Sequence, residues 1–495
     1  MIPLSSRARR ALVLLLVLSM LLTILAGCSG SNEETTKPAA YGSFGADFAR
    51  TLAAANPDRA AGSPGENRTG DLIIEAFTDL GYEPVVSSFS FPDPEGSLLN
   101  SRNIAVLIPG SGVPDPDNEG KTLSRQVIIG AHYDSLPRPA DVKPVEAQAT
   151  SKTSQTTGTT ADSSDLMPGW ENYTGISDNA SSIGALMVMA RELKTMDNTH
   201  DVVLVAFGAG HANQAGARFY VEKMKSVDIE RTEVMYNLEN IYAGDKLYAN
   251  AGQNSIKPGF QKDYEKRRKL YEATDVYYEY ELFSNNRVAL YTNQSVIETD
   301  QNRLNVLAPY REWTTHPSDY LPFDEADIPI VFFESFDYDV TTMEEMRESN
   351  NPAFTATNGR ISGTPFDSTD YLERLFEMTQ AELTPTPLAV SPGTGVSATP
   401  GARTTPSASL TPGAGSTPGV SVTPRVSATT GASTTKKEEE PLEDLLTRRI
   451  NNTAFIIIKS IEKSSATARE TTAEPSVTPA ITPRSTTRAT TTSTR

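Results

Sequence analysis

The sequence predicts a three-layer α/β/α fold around a mixed, mostly parallel central sheet. Three observations carry that expectation. Runs of strand length are apolar throughout instead of alternating: "NIAVLIPG" (103–110), "QVIIGAHYD" (126–134), "VVLVAF" (202–207) and "IPIVFFES" (328–335). A strand with no polar side is buried on both faces, as in a sheet covered by two helical layers. Segments of helical period separate these runs, the strand–helix alternation of an α/β domain. Finally, the single cysteine lies at position 28, so no disulfide is available and an apolar core must hold the fold.

Each element has a local reason. "DLIIEAFTDLGYEP" (71–84) sets Leu72, Ile73, Ala76, Phe77 and Leu80 at helical spacing and stops at Gly81. "DNASSIGALMVMARELK" (178–194) reads as a helix with Asp178 or Asn179 at its start. A further helix is expected around Ala215–Lys225, then a short strand in "VMYNLENIY" (234–242). Pro329 suits the start of the strand at 328–335. The Tyr- and charge-rich residues 255–312 are expected to cover the mouth of a pocket.

The ends of the chain speak to location. Arg7, Arg9 and Arg10 precede the apolar run 11–26, which falls short of the ~20 residues of a spanning helix. A basic flank, an apolar stretch and small residues form an export signal. It closes on "LAGC", Leu25 to Cys28, which resembles the lipobox of bacterial lipoproteins. The expectation is a signal at 1–28, lipidation of Cys28, and an extracytoplasmic protein anchored in membrane lipid. Residues 29–40 then serve as a tether and 41–382 as the globular domain, with a polar insertion at 144–165. Residues 383–440 are a Thr/Ser/Pro/Gly tract unable to bury a core, hence disordered. At 441–463 Leu442, Leu445, Leu446, Ile450, Ala454, Ile457, Ile458 and Ile461 form an apolar helical face, expected to dock back on the domain. A disordered tail is expected at 464–495. The net charge of −18 argues against a nucleic-acid surface; peptides or cell-envelope components are the expected partners.

Polar residues at strand ends are where α/β sheets place their chemistry. "GAHYDS" sets His132 just past a strand, with Asp134 two residues on, able to orient the imidazole. Asp178 lies at a strand-to-helix turn, Glu239 in "NLEN", and His211 after the strand 202–207. Singly, each also reads as a cap, a surface charge or a satisfied loop histidine.

In order, these motifs resemble the bacterial zinc aminopeptidase family of di-zinc metallopeptidases, whose relatives include glutaminyl cyclases. The segments "RAAGSPGENRTG", "VIIGAHYDS", "GISDNASSIGALMVMAREL" and "SDYLPFDEADIPIVFF" carry the resemblance over most of residues 45–380, and it extends to the helix at 441–462. It implies that two zinc ions share a bridging carboxylate while a glutamate takes a proton from water. By motif, His132, Asp178 and Glu239 match one metal site, with Asp134 behind His132, and Tyr320 matches a substrate or oxyanion contact.

The other half departs from the pattern. "FGAGHANQAGA" has Gly210 at the general-base position and His211 at a ligand position. "GTPFDSTD" has Gly363 where the last ligand histidine belongs. The expectation is therefore one zinc rather than two, and a strongly impaired or non-catalytic homologue. The alternative is an active metal-dependent exopeptidase with an atypical single-metal site, in which His316 is a candidate base. A surface stalk built around the Thr/Pro tract is a third reading.

Overall fold

The computed structural model describes residues 37–139, 168–298, 307–309, 311–314, 316–340, 342–383 and 442–473. Cys28 and the expected export signal, most of the expected tether, the expected insertion at 144–165, residues 384–440 and the chain beyond 473 lie outside these residues. One compact unit comprises the described residues up to Glu377 and from Glu443 onward. The second unit, Met378–Leu442, contributes only 378–383 and Leu442 to the described part.

In chain order the main elements are α1 (Phe44–Ala55), α2 (Pro64–Asp79), β1 (Val85–Pro92), β2 (Leu98–Ile108), β3 (Gln126–His132), α3 (Ser181–Leu193), β4 (Asp201–Phe207) and α4 (Ala215–Lys223). They continue with β5 (Thr232–Glu239), β6 (Lys246–Ala251), α5 (Arg268–Glu279), β7 (Leu290–Tyr291), α6 (Leu321–Glu325), β8 (Ile330–Phe336), α7 (Thr369–Leu383) and α8 (Leu445–Ala473). Eight strands form one sheet in the order β1-β2-β4-β3-β5-β8-β6-β7. The central strands β4, β3, β5 and β8 are mutually parallel; β1, β2 and β6 enter antiparallel.

Successive residues of β3 explain its wholly apolar sequence. Val127, Ile129 and Ala131 pack into one core cluster with Ile183, Met187 and Ile450, while Ile128 points into another with Phe207, Phe323 and Phe332. Both faces are thus covered, the first by α1, α3 and α8 and the second by α4 and α6. α2 starts where Ser63 accepts a bond from the Glu66 N–H, and Glu66 reaches back to the Gly62 N–H, a reciprocal cap with Pro64 in the first turn. Gly45 on α1 and Gly184 on α3 allow their backbones to touch. A Cβ at Gly45 would meet Val188 and Ile450 at 2.6 and 2.7 Å.

The C-terminal helix does return to the domain. Leu446, Ile450, Ala454, Ile457 and Ile461 are buried, the leucine and isoleucines each contributing about 1.5–3 kcal/mol when fully removed from water. Ser460 Oγ lies 3.0 Å from the Tyr236 hydroxyl, and Ser465 Oγ accepts from the Thr199 N–H at 3.1 Å. Its limits differ from the expected 441–463. Asp444 caps it by accepting from the Thr447 N–H and hydroxyl, so helix begins at Leu445, and it runs to Ala473 into the expected tail. Residues 255–312 differ as well: α5 packs beside β6, β8 and α8, with Lys269 Nζ donating to Ser464 Oγ, and none of the segment's described residues lines the cavity described below.

Candidate metal centre

β3, β4 and β5 are neighbouring parallel strands, so their carboxyl ends open on one edge of the sheet. The chain leaves β3 for β4 on one flank and returns to β5 on the other, the kind of switch point where α/β sheets bind ligands. His132 ends β3, Glu239 ends β5, His211 follows β4, and Asp178 stands in the turn before α3.

The structure brings all four together. His132 Nδ1 lies 3.1 Å from the Asp134 carbonyl oxygen and 3.4 Å from Asp134 Oδ1, which turns Nε2 inward. That Nε2 is 3.2 Å from Glu239 Oε1 and 3.6 Å from Asp178 Oδ1. His211 Nε2 approaches the same Asp178 oxygen at 3.1 Å. The Asp134 carboxylate also accepts the Gly210 and His211 N–H groups at 2.7 and 3.0 Å, so it locks the loop after β4 against β3. Ser318 donates to the second oxygen of Glu239.

Residues not singled out from the sequence hold this arrangement in place. Asp367 accepts the backbone N–H groups of Ser177 and Asp178 at 2.8 and 3.1 Å, presenting the Asp178 side chain to the cluster. Arg59 is fully buried and donates to the carbonyls of Thr174 (2.7 Å), Tyr133 (3.0 Å) and Asp178 (3.2 Å), besides Gly175. The Asn179 amide bonds the His132 and Leu238 carbonyls and accepts from the Asn240 N–H, tying together the ends of β3 and β5. Both Arg59 and Asp367 lie within quoted motifs, "RAAGSPG" and "GTPFDSTD"; the missing signal was their long-range partners, 74 to 190 residues away.

The electrostatics of the cluster are those of imidazoles facing carboxylates. Burial alone would lower the pKa of His132, but Glu239 and Asp134 outweigh it and hold the imidazole well above its ordinary value. Burial is likewise overcome at His211, raised by Asp178. Asp134 and Asp178 respond oppositely: burial would raise them, yet the facing histidines hold both below the usual carboxylate range.

The donor set fits zinc. Ligands ~2.0–2.1 Å from a tetrahedral zinc sit roughly 3.3–3.4 Å from one another. The three close pairs, His132–Glu239, His132–Asp178 and His211–Asp178, at 3.2, 3.6 and 3.1 Å, are near that edge length. His132, Asp178 and His211 alone already place their ligand atoms within 4.8 Å of each other.

The two glycines are built into the packing. A Cβ on Gly210 would overlap the Cβ and imidazole of His132. Gly363 has φ +63°, disfavoured for any side chain, and a Cβ there would overlap Leu136 and come within 3.1 Å of Arg360 Nη2. A guanidinium thus stands beside the position expected to carry a metal-binding histidine.

Three further residues are placed differently from one another. Tyr320, expected at the substrate, is instead fully buried, its ring 5.2 Å from Phe332, and is not part of the cavity wall. The physical reason is its position entering α6, whose inner face fills the second core cluster. His316 does line the cavity, but its Nδ1 lies 3.0 Å from Glu334. Burial would lower its pKa, yet that bond and charge push it up to about 9, so it is a cation at neutral pH and cannot accept a proton there. Asp319 is buried with neither oxygen bonded among the described residues, and burial pushes its pKa up to about 7.

The cluster opens into a cavity of about 490 Å³, walled by Asp178, His211 and Glu239 at one end and by Phe336, Arg347 and Arg360 among others.

The sequence pattern of Peptidase family M28 matches residues 116–375, just over half of the chain. The chain belongs to that family. It is 27% identical over 220 residues to the alkaline phosphatase isozyme conversion protein of Escherichia coli, covering 43% of this chain and 54% of that protein. It is 30% identical over 80 residues to aminopeptidase YwaD of Bacillus subtilis, 15% of this chain and 18% of that one. The matches thus span about half of the first relative and less than a fifth of the second. Among solved structures, a zinc aminopeptidase from Bacillus subtilis is similar with a TM-score of 0.42 and 15% identity, over 68% of this chain and 93% of that chain. A glutaminyl cyclase from an Acidobacteriales bacterium gives the same TM-score and identity, over 70% and 92%.

Proposed function

We propose that this chain is a lipid-anchored, extracytoplasmic member of the family that retains one zinc site and has lost efficient peptide hydrolysis. Its role is then binding at the cell envelope, with Cys28 as the anchor. His132, Asp178 and Glu239 hold the ion, and His211 closes the far side of Asp178. Zinc there would supply a Lewis acid able to polarise a carbonyl oxygen. Asp134 fixes the His132 ring so that Nε2 faces the ion.

One observation carries the reading: Gly210 has no proton acceptor, and the His132 side chain packs against the space a glutamate there would need. General-base catalysis is worth about 10²–10⁴ in rate. His316, protonated at neutral pH, does not replace it. The test is zinc content of the purified chain beside cleavage of aminoacyl anilides and peptide libraries. One equivalent of zinc without turnover supports the reading; chelator-sensitive turnover abolished by His132→Ala overturns it. For the anchor, Cys28→Ala should release the protein from membranes.

A second reading, an exopeptidase working with a single ion, has one observation in favour. The Asp319 carboxyl exchanges its proton near neutrality and lies within the field of His132, Glu239 and His211. Against it, Asp319 is not on the cavity wall. If this second reading holds, Asp319→Asn abolishes turnover while zinc content stays constant.

A further inference from the structure

Two arginines on the cavity wall are not used by the metal cluster. Arg347 and Arg360 both line the cavity, opposite in charge to Asp178 and Glu239. Each guanidinium is aimed by its Nε: Arg347 donates to the Glu345 carbonyl at 2.9 Å and Arg360 to the Ser362 carbonyl at 2.9 Å. The stem of Arg347 lies against Gly359, whose φ of +78° leaves the face open, with Cγ 3.1 Å from where a Cβ would stand.

The Nη groups of both arginines make no hydrogen bond or ion pair among the described residues. The neighbouring carboxylates are committed elsewhere. Glu348 accepts from the N–H groups of Ile361 and Ser362 and from the Ser362 hydroxyl. Asp337 is taken by Lys246, Asn350 and the Asp339 N–H. Two positioned, unpaired guanidinium forks on the wall of a metal-binding cavity are shaped for a planar anion, and carboxylate is the bidentate match. An exposed arginine alone would say little. Here one of the pair also stands beside Gly363, where the family pattern calls for a ligand histidine.

We propose that the cavity recognises small ligands through a free carboxylate, held by Arg347 and Arg360, with the ligand's amide carbonyl directed at the His132–Asp178–Glu239 cluster. The ligand class is short peptides or acylated amino acids with an unblocked C-terminus, and a free amino group is not required. The orientation of the ligand rests on the zinc site proposed above; recognition of the carboxylate does not.

The experiment is calorimetric titration of the zinc-loaded full chain with N-acetyl-Ala-Ala, its C-terminal amide and Ala-Ala amide, with zinc content measured on each sample. The acid is expected to bind at least about tenfold more tightly than either amide, the worth of one charge-assisted bidentate pair. Arg347→Gln and Arg360→Gln are each expected to lose about tenfold for the acid, with zinc content and melting temperature unchanged. Equal binding of acid and amide, preference for Ala-Ala amide, or no binding at all overturns the proposal. A chain that takes up no zinc yet still prefers the acid overturns only the metal reading.

Discussion

The two halves of the centre differ in how their residues compare with the family pattern and in what else those residues hold. On the side of β3 and β5, His132, Asp134, Asp178 and Glu239 keep donor and supporting groups at the positions of the pattern, and each also bonds to structure: Asp134 to the loop after β4, Glu239 to Ser318, the Asp178 turn to Asp367. On the other side Gly210, His211 and Gly363 stand where the family pattern has two glutamates and a histidine. The difference teaches that the polar groups of the first side also hold strand ends together, whereas the glycines of the second are fixed by packing alone.

The largest expected effect tests the retained half. Arg59→Ala removes the donor to five carbonyls and the guanidinium facing three carboxylates, and should cost about 3–5 kcal/mol of stability, read by denaturant unfolding. If Arg59→Ala melts like the parent, the first side does not also hold structure together. Next comes Asp319→Asn. A carboxyl whose folded pKa is raised to about 7 contributes stability below its ordinary value near 4, lost as pH rises towards 7. The asparagine variant should therefore match the parent at pH 4 and gain on the order of 4 kcal/mol relative to it by pH 8. Equal pH profiles would show that Asp319 is solvated or paired.

The two halves should also separate in metal affinity. His132 meets Glu239, Asp178 and Asp134 while His211 Nε2 meets Asp178, so His132→Ala should cost more than about 100-fold in metal affinity and His211→Ala about tenfold, by competition with a chromogenic chelator. Equal losses would erase the distinction between the halves. Smallest of all, Gly210→Glu should destabilise by about 1–3 kcal/mol through overlap with His132 and restore no hydrolysis. Recovery of turnover in that variant would show that the space can reopen.

Much of this was legible in the sequence because it is written locally. The apolar run of β3, the period of α3 and the apolar stripe of α8 each encode their own burial, and the spacing of His132 and Asp134 encodes a supported ligand. What escaped is non-local. Nothing around Arg59 announces that it will meet carbonyls near residue 175, and nothing at Asp319 announces an unpaired burial. The helix end was missed because Ser464 and Ser465, which look like the start of a polar tail, turn inward to Lys269 and Thr199. Tyr320 was misplaced because a motif fixes the order of residues but not which way a ring turns at the start of a five-residue helix.

The most direct test is the number of zinc ions held per chain after exhaustive dialysis of the purified protein. The expected value is one, released on His132→Ala. Two tightly held ions would mean that the stripped half still binds metal, and the contrast between the halves would be wrong.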